Sequence, residues 1–172
     1  MKYALNKIAL GGGCHWCTEA VFQSLKGVVS VEQGYIASLV KHSAFSEGVI
    51  VHFNANIISL KTLIEIHLYT HKCTSNHSMR EKYRSAVYVF SESQKDKVEV
   101  LLKGFQSDFN NEIITRVYPF SNFIASRDEI QNYYQKNPKK PFCERFINPK
   151  LMLLMDNFSD YVNTQNIGME LL

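Results

Sequence analysis

The fold is decided by residues 7–35, which read KIALGGGCHWCTEAVFQSLKGVVSVEQGY. An apolar run over residues 5–10 predicts a short buried strand, and the glycines after it predict a tight turn with unusual backbone dihedrals. Apolar residues then recur at helical spacing, so we expect a helix over residues 14–25 that Gly27 ends. The Val- and Tyr-rich segment 28–36 predicts a second strand, which completes a strand–helix–strand unit.

The same order of elements recurs further along the chain. We expect strands over 47–53, 85–90 and 113–118, and helices over 59–70, 92–109, 127–135 and 150–162. Strand, helix, strand, strand, helix, strand is the order of a split βαβ unit. The predicted fold class is therefore α+β, a ferredoxin-like split βαβ sandwich with extra C-terminal helices and a tail. We expect a single domain over residues 1–172, in which residues 150–172 form a C-terminal helical extension.

Composition narrows the class of protein. A chain of 172 residues with 45% hydrophobic and 20% charged residues is typical of one globular domain. The net charge of +3 is small and its basic residues are scattered, so no nucleic-acid partner is expected. No apolar stretch approaches the roughly 20 residues that span a bilayer, and no signal peptide is recognisable. These features predict a cytoplasmic protein without a membrane partner.

The cysteines point to thiol chemistry. The chain has four cysteines, of which Cys14 and Cys17 form a C-x-x-C pair. In a reducing compartment such a pair is more often redox-active or metal-binding than structural. Cys14 follows the glycine turn at the start of a helix, where free N–H groups and the helix dipole favour a thiolate. Cys17 lies on the same helix face and is able to close a disulfide with Cys14, although both residues are also compatible with simple core packing.

Neighbouring side chains fit a site around Cys14. Trp16 is the only tryptophan and offers an indole for a methyl group or a sulfonium-like centre, unless it packs in the core. His15 is expected either to pair with the thiolate or to line the same pocket. Glu19 and Glu47 are the candidate proton donors, because a carboxyl group in an apolar site has a raised pKa. Each glutamate is alternatively an ordinary exposed charge.

From these residues onward the chain resembles the A-type methionine sulfoxide reductases, the peptide-methionine (S)-S-oxide reductases. The segment GCHWCTE resembles the family's G-C-F-W-G or G-C-F-W-C turn, which is followed by a glutamate-bearing helix. Further resemblance lies, in the family's order, in LKGVVSVEQGY (25–35), FSEGVIVHFN (45–54), KYRSAVYVF (82–90) and NYYQKNPKKPFCERFINPKL (132–151). Together these segments extend over most of the chain.

The resemblance implies a role for each matching position. It implies catalytic or resolving roles for Cys14, Glu47, Tyr83, Cys17 and Cys143, and substrate contacts for Trp16 and His15. Cys14 is the implied nucleophile, Glu47 the acid for the sulfoxide oxygen, and Tyr83 a hydrogen-bond donor to that oxygen. We expect Cys17 to resolve the oxidised Cys14 first and Cys143 to relay the disulfide to the surface.

The implied reaction is thiol-dependent reduction of the S epimer of methionine sulfoxide, in peptides and proteins or free. It runs through a sulfenic acid on Cys14 and an intramolecular disulfide, which thioredoxin or a similar dithiol reduces. The expected partners are thus oxidised methionine-containing proteins and thioredoxin. Neither a bound cofactor nor a metal is expected.

Several positions depart from the family pattern. His15 stands where the family has phenylalanine, and Phe45 stands where it has the histidine before the acid. A stretch between Tyr35 and Glu47 is missing, and with it the loop assigned to a second active-site tyrosine. The usual aspartate before the Tyr-Arg-Ser run has no match, and Ser78 or His77 lies in its neighbourhood.

These departures leave other functions open. One alternative is a catalytically impaired member of the fold that binds oxidised peptides or regulates a partner. Another is a general thiol–disulfide oxidoreductase that uses the C-x-x-C pair. A third is a metal-binding module built from Cys14, Cys17 and His15 with His77 or Cys143. Cys73 matches no family position and is expected to be a bystander or a core residue.

Overall fold

The strand that precedes the glycine turn lies inside a mixed sheet. The computed structural model describes residues 5–172, so the first four residues of the predicted domain lie outside the described residues. The sheet contains β1 (Leu5–Gly11), β2 (Val28–Ala37), β3 (Ser46–Asn54), β4 (Ala86–Val89), β5 (Arg116–Pro119) and β6 (Asn122–Ala125), in the spatial order β5-β4-β1-β3-β2-β6.

The central four strands confirm the predicted split βαβ arrangement. Strands β4, β1, β3 and β2 are antiparallel neighbours in that order, which is the ferredoxin-like order. Strand β5 pairs in parallel with β4 at one edge, and β6 pairs antiparallel with β2 at the other. The helices are α1 (His15–Gln23), α2 (Leu60–Thr70), α3 (Glu92–Phe105), α4 (Tyr133–Lys136) and α5 (Asn148–Asn157).

Local sequence explains where the main helices begin and end. The Ser59 and Ser91 hydroxyls accept the N–H groups of Thr62 and Gln94, so α2 and α3 have serine N-caps. Helix α1 has no such cap, because its N-cap residue is Cys14. After α1, Gly27 adopts a φ of +89°, and a Cβ there would lie 2.8 Å from Ile57 and Ile58. That turn therefore requires glycine.

Alternation along the strands divides the core into two layers. On one sheet face, Ile8, Leu10 and Val51 pack with the buried sides of α1 and α2. On the other face, Ala9 and Tyr88 form a smaller cluster, which aromatic side chains near β5 and β6 cover instead of a helix. Since α1 and α2 lie on the first face, the N-terminus of α1 is supported by the larger of the two layers.

The C-terminal half differs from the prediction in its details. The predicted last strand over 113–118 is β5, and a further strand, β6, follows it only three residues later. The predicted helix over 92–109 is α3 followed by a 3-10 turn, and the one over 127–135 is a 3-10 turn followed by the short α4. The predicted helix over 150–162 is α5, which begins two residues earlier and ends at Asn157.

The C-terminal extension packs against the end of α1. The backbone N–H of Lys26 donates to the Tyr161 carbonyl at 2.7 Å, and that of Asn163 donates to the Ser24 carbonyl at 2.7 Å. The Tyr134 hydroxyl accepts the N–H of Gly168 at 2.7 Å. The tail is thereby tied to both α1 and α4. Within residues 5–172, no helix is long and apolar enough to cross a bilayer.

We expect acid to destabilise this fold through His67. Its imidazole is buried and contacts the carbonyl of Gly11 at 2.9 Å, and burial lowers its pKa to about 4. An unfolded histidine titrates near 6.5, so the unfolded chain binds this proton first as the pH falls. The contribution is present above pH ~6.5 and is lost between about pH 6.5 and 4. It amounts to about 3 kcal/mol of the free energy of unfolding, measurable by urea denaturation across that window.

The matched variant is His67→Gln, whose amide is able to donate to the same carbonyl but does not titrate. We expect its free energy of unfolding to fall less steeply with decreasing pH than that of the wild type. Equal slopes in the two proteins would show that another group controls acid stability.

Candidate active site

The site is centred on Cys14, which β1 and the glycine turn place at the N-terminus of α1. The thiol is partly exposed, and the backbone N–H groups of Trp16 and Cys17 point towards it. At Gly12 a Cβ would lie 2.4 Å from the His71 ring, so the chain passes this point only as glycine. The glycine turn thus lets the polypeptide pass close to buried side chains and deliver Cys14 to the surface.

The two cysteines of the pair have opposite electrostatic environments. A hydrogen bond from the Cys17 thiol and the amides of Trp16 and Cys17 lower the pKa of Cys14, against the effects of burial and the Glu47 charge. The same hydrogen bond and burial raise the pKa of Cys17. Cys14 is therefore the more acidic thiol of the pair, and Cys17 stabilises its charged form.

The other two cysteines are buried. Cys143 is fully buried, and its thiol donates to the Asn137 carbonyl at 3.5 Å. It lies close enough to Cys17 for a charge on one to affect the other. Cys73 is 2% exposed within the main core, consistent with the structural role expected of it. All four cysteines are free thiols.

Cys14 lines a small cavity with Cys17 and Lys150, and a larger cavity of about 530 Å³ begins at the next two residues of the chain. Its lining consists of His15, Trp16, Tyr35, Phe45, Glu47, Lys82, Arg127 and Ile130. Trp16, Phe45 and Ile130 form its apolar part, and the remaining side chains form a polar part around the Glu47 carboxyl. Such a cavity has the mixed character needed to hold a small apolar group next to a polar one.

Trp16 is held in place by two other aromatic rings. Its indole stacks on Tyr133 with ring centres 4.1 Å apart and planes within 7°, and it meets the edge of Phe142 at 5.0 Å. Its Nε1 is buried without a hydrogen-bond partner among the described residues. The indole is thus a fixed wall of the cavity.

Glu19 supports this wall and does not line the cavity. Its carboxyl accepts the N–H groups of Asn132 at 3.0 Å and Tyr133 at 3.1 Å, and the amide of Gln33 at 2.9 Å. It is buried, so the alternative of an exposed charge is wrong for Glu19. Burial raises the pKa of its carboxyl, and the three hydrogen bonds act against that shift. Glu19 positions Tyr133 and, through it, Trp16.

Glu47 is the buried acid of the cavity. It lies near the start of β3 opposite Tyr35 of β2, and it is 7% exposed, so it too is not an ordinary surface charge. The backbone N–H of His15 donates to its Oε1 at 3.2 Å, and the His15 Nε2 lies 3.4 Å from the same oxygen. Lys82 Nζ lies 3.7 Å from Oε2. The site therefore brings Glu47 and His15 together beside Cys14.

Tyr83 is less directly placed. It is not among the residues that line the cavity, and its ring lies under the Lys82 ammonium at 5.1 Å. Lys82 thus stands between Tyr83 and Glu47.

Sequence reasoning missed Tyr35, Lys82 and Arg127. Tyr35 supplies a tyrosine to the cavity, and its ring contacts the His15 ring at 5.1 Å. The hairpin of two predicted strands contained the signal for Tyr35, because its register pairs Tyr35 with Glu47. Lys82 and Arg127 lie in irregular segments, where no periodicity indicates which side chains face the site.

The proposed metal ligands do not assemble. Within residues 5–172, no group of three or more His, Cys, Asp or Glu side chains is arranged to hold a metal ion. The His15 Nδ1 contacts the Gly34 carbonyl at 2.8 Å, and the His77 Nδ1 accepts the Met79 N–H at 3.2 Å. The metal-binding alternative therefore finds no ligand set there.

Comparison with known proteins assigns this chain to a family. The sequence model described as "Peptide methionine sulfoxide reductase" matches residues 6–161. The peptide methionine sulfoxide reductase MsrA of Sulfolobus acidocaldarius is 33% identical over 165 residues, which cover 88% of this chain and 94% of that protein. MsrA of Trichodesmium erythraeum is 35% identical over 175 residues, which cover 92% and 99%.

Solved structures share the fold. Mxr1 from Saccharomyces cerevisiae in reduced form superposes with a TM-score of 0.72 at 24% identity, over 83% of this chain and 92% of that one. Mxr1 in complex with Trx2 gives a TM-score of 0.60 at 24% identity, over 77% and 89%. Since the family model extends over most of the chain and both relatives exceed 30% identity, this chain belongs to the MsrA family of peptide methionine sulfoxide reductases, enzymes that reduce methionine sulfoxide.

Proposed function

We propose that this enzyme reduces the S epimer of methionine sulfoxide in peptides and proteins, with Cys14 as its nucleophile. The observation that carries the proposal is that Cys14, whose pKa is lowered, directly precedes two residues of a cavity with an aromatic wall and a buried carboxyl. Methionine sulfoxide has a methyl group and a polar S–O group on the same sulfur. The cavity offers an apolar and a polar side for these two groups.

Substrate orientation follows from the lining. The methyl group packs against Trp16, whose ring is fixed by Tyr133. The sulfoxide oxygen then points to the polar part, where Glu47 lies. This orientation places the sulfoxide sulfur between the acid and Cys14. Only one epimer presents its oxygen to Glu47 while its methyl group remains on Trp16.

The first chemical step oxidises Cys14 and reduces the substrate. The Cys14 thiolate attacks the sulfoxide sulfur while Glu47 supplies a proton to the oxygen. The attack forms a bond between the two sulfurs. That bond and the sulfur–oxygen bond of the substrate then break as the oxygen moves to Cys14 with that proton. Methionine leaves, and Cys14 is left as a sulfenic acid. We assign to Tyr83 a hydrogen bond to the sulfoxide oxygen. To make this bond, the Tyr83 hydroxyl has to move past Lys82 when substrate binds.

Resolution begins with Cys17. Cys17 interacts with Cys14 closely enough to lower the pKa of Cys14, so its thiol needs little movement to attack the sulfenic acid. The products are a Cys14–Cys17 disulfide and water. Cys143 is buried near Cys17, and relay of the disulfide to the surface requires residues 137–147 to open. We propose that a thioredoxin-like dithiol then reduces the protein, as the complex of yeast Mxr1 with Trx2 indicates for that relative.

The alternatives make different demands on the site. A general thiol–disulfide oxidoreductase has no use for the cavity that accompanies the C-x-x-C pair. The acid and the nucleophile that the proposed reaction needs are both present, which favours the enzyme over a catalytically impaired member.

Thiolate activation is testable by alkylation. We expect Cys17→Ala to slow iodoacetamide modification of Cys14 at pH 7 about three- to tenfold, because loss of the Cys17 hydrogen bond raises the Cys14 pKa. Glu47→Gln should act in the opposite direction, since the Glu47 charge raises the Cys14 pKa. Mass spectrometry of the Cys14 peptide separates this reaction from that of the buried cysteines. A Cys17→Ala rate equal to the wild type would contradict the assigned hydrogen bond.

Turnover tests the order of the cysteines. With thioredoxin, thioredoxin reductase and NADPH, the wild type should consume NADPH on the S epimer of a methionine sulfoxide peptide and not on the R epimer. Cys14→Ser should retain less than about 1% of this activity, given the size of nucleophile losses. Cys17→Ser should still form one methionine per enzyme and then stop. Continued turnover of Cys14→Ser, or an inactive wild type with free thiols, would overturn the proposed function.

A further inference from the structure

The feature that the proposed reaction does not use is the imidazole of His15. The family pattern that the chain resembles has phenylalanine at this position. Here the ring is 3% exposed and lies between the Gly34 carbonyl and the Glu47 carboxyl. An imidazole binds and releases a proton, which a phenyl ring does not, so His15 is able to exchange a proton with the neighbouring Glu47 carboxyl.

Hydrogen bonding fixes the tautomer of this ring. The Nδ1 atom lies 2.8 Å from the Gly34 carbonyl oxygen, which only accepts, so Nδ1 carries a hydrogen. In the neutral ring Nε2 is then a bare acceptor. Nε2 lies 3.4 Å from Oε1 of Glu47, so two lone pairs face each other unless a proton lies between them. A proton shared by Nε2 and Oε1 would turn this unfavourable approach of two acceptors into an attraction.

The charges around the Glu47 carboxyl favour a proton at Oε1 over a proton at Oε2. Lys82 Nζ faces the other oxygen, Oε2, at 3.7 Å, so a cation already occupies that side. Tyr35 faces the imidazole with its ring, and Arg127 lines the outer part of the cavity with Glu129 beside it at 4.0 Å. The pKa of His15 is lowered overall: burial is the largest cause and Lys82 adds to it, whereas the Gly34 carbonyl and Glu47 act against that shift.

We propose that His15 and Glu47 hold one proton between them, and that this pair donates it to the sulfoxide oxygen. The inference rests on the proposed function. In the first step the proton leaves the pair as the Cys14 thiolate attacks, and the pair becomes neutral imidazole plus carboxylate. The proton ends on the oxygen transferred to Cys14, so charge and atoms balance. Solvent restores the proton before the next turnover. His15 is thus a proton-holding residue that acts through Glu47.

The pair makes a prediction that does not depend on activity. In ¹⁵N NMR titrations, Glu47→Gln should lower the pKa of His15 by about one unit, since the imidazolium loses its carboxylate partner. His52, which pairs with Glu32 on the surface at 2.7 Å, is the internal control and should titrate unchanged. A His15 titration that is the same in wild type and Glu47→Gln would overturn the shared proton, whether or not the enzyme reduces methionine sulfoxide.

Single-turnover formation of methionine tests the role in the reaction. His15→Phe restores the family residue, and His15→Asn keeps an amide donor for the Gly34 carbonyl without titrating. Relative to wild type, we expect both variants to form methionine about tenfold more slowly at pH 8, because Glu47 then has no imidazole with which to share the proton. His52→Asn, the matched surface control, should follow the wild-type profile.

The outcomes separate the two levels of the proposal. If His15→Asn or His15→Phe matches the wild type at pH 8, the imidazole only fills space and the shared proton is excluded as the donor. If the wild type forms no methionine from either epimer, the proposed function fails, and the NMR titration still decides whether the pair exists.

Discussion

The junction between β1 and α1 is the constraint on which the rest of the site depends. Gly11 and Gly12 end the strand inside the protein, and their carbonyls need buried partners. His67 contacts the Gly11 carbonyl at 2.9 Å, and the Arg80 guanidinium donates to the Gly12 carbonyl at 2.9 Å. These contacts hold the glycine turn in place, although the glycines have no side chains. Cys14 then emerges at a free helix N-terminus, where amides that have no helical partner are available to a thiolate.

A second network ties the distant C-terminal segment to this junction. Glu19, one turn into α1, accepts the backbone N–H groups of Asn132 and Tyr133. A buried carboxylate costs free energy unless it is fully hydrogen-bonded. Glu19 therefore stabilises only an arrangement in which a segment points its backbone N–H groups at the carboxylate. Because Tyr133 stacks on Trp16, this selection also fixes the wall of the cavity. The segment that holds Asn132 and Tyr133 therefore has to pack on α1 for the wall of the cavity to form.

Sequence reasoning succeeded where periodicity and local capping carry the information. The split βαβ order and the helix that begins after Ser59 were predictable because each has an apolar period or a cap within a few residues. Strand β6 was not, since its residues are mostly exposed and only backbone pairing with β2 defines it. Nor was the burial of Glu19, whose partners Asn132 and Tyr133 lie more than 110 residues away in the chain.

The polar part of the cavity shows how a substitution inside a site has to be offset by its surroundings. An imidazole at position 15 costs more to bury than a phenyl ring, because its nitrogens lose water. The Gly34 carbonyl satisfies one nitrogen and Glu47 faces the other, while the backbone N–H of His15 also serves Glu47. Lys82 adds a charge on the exposed side of the same carboxyl. Each group is only partly satisfied by any single neighbour, so the ring, the acid and the lysine are interdependent. A change at one of them alters the charge that surrounds the others.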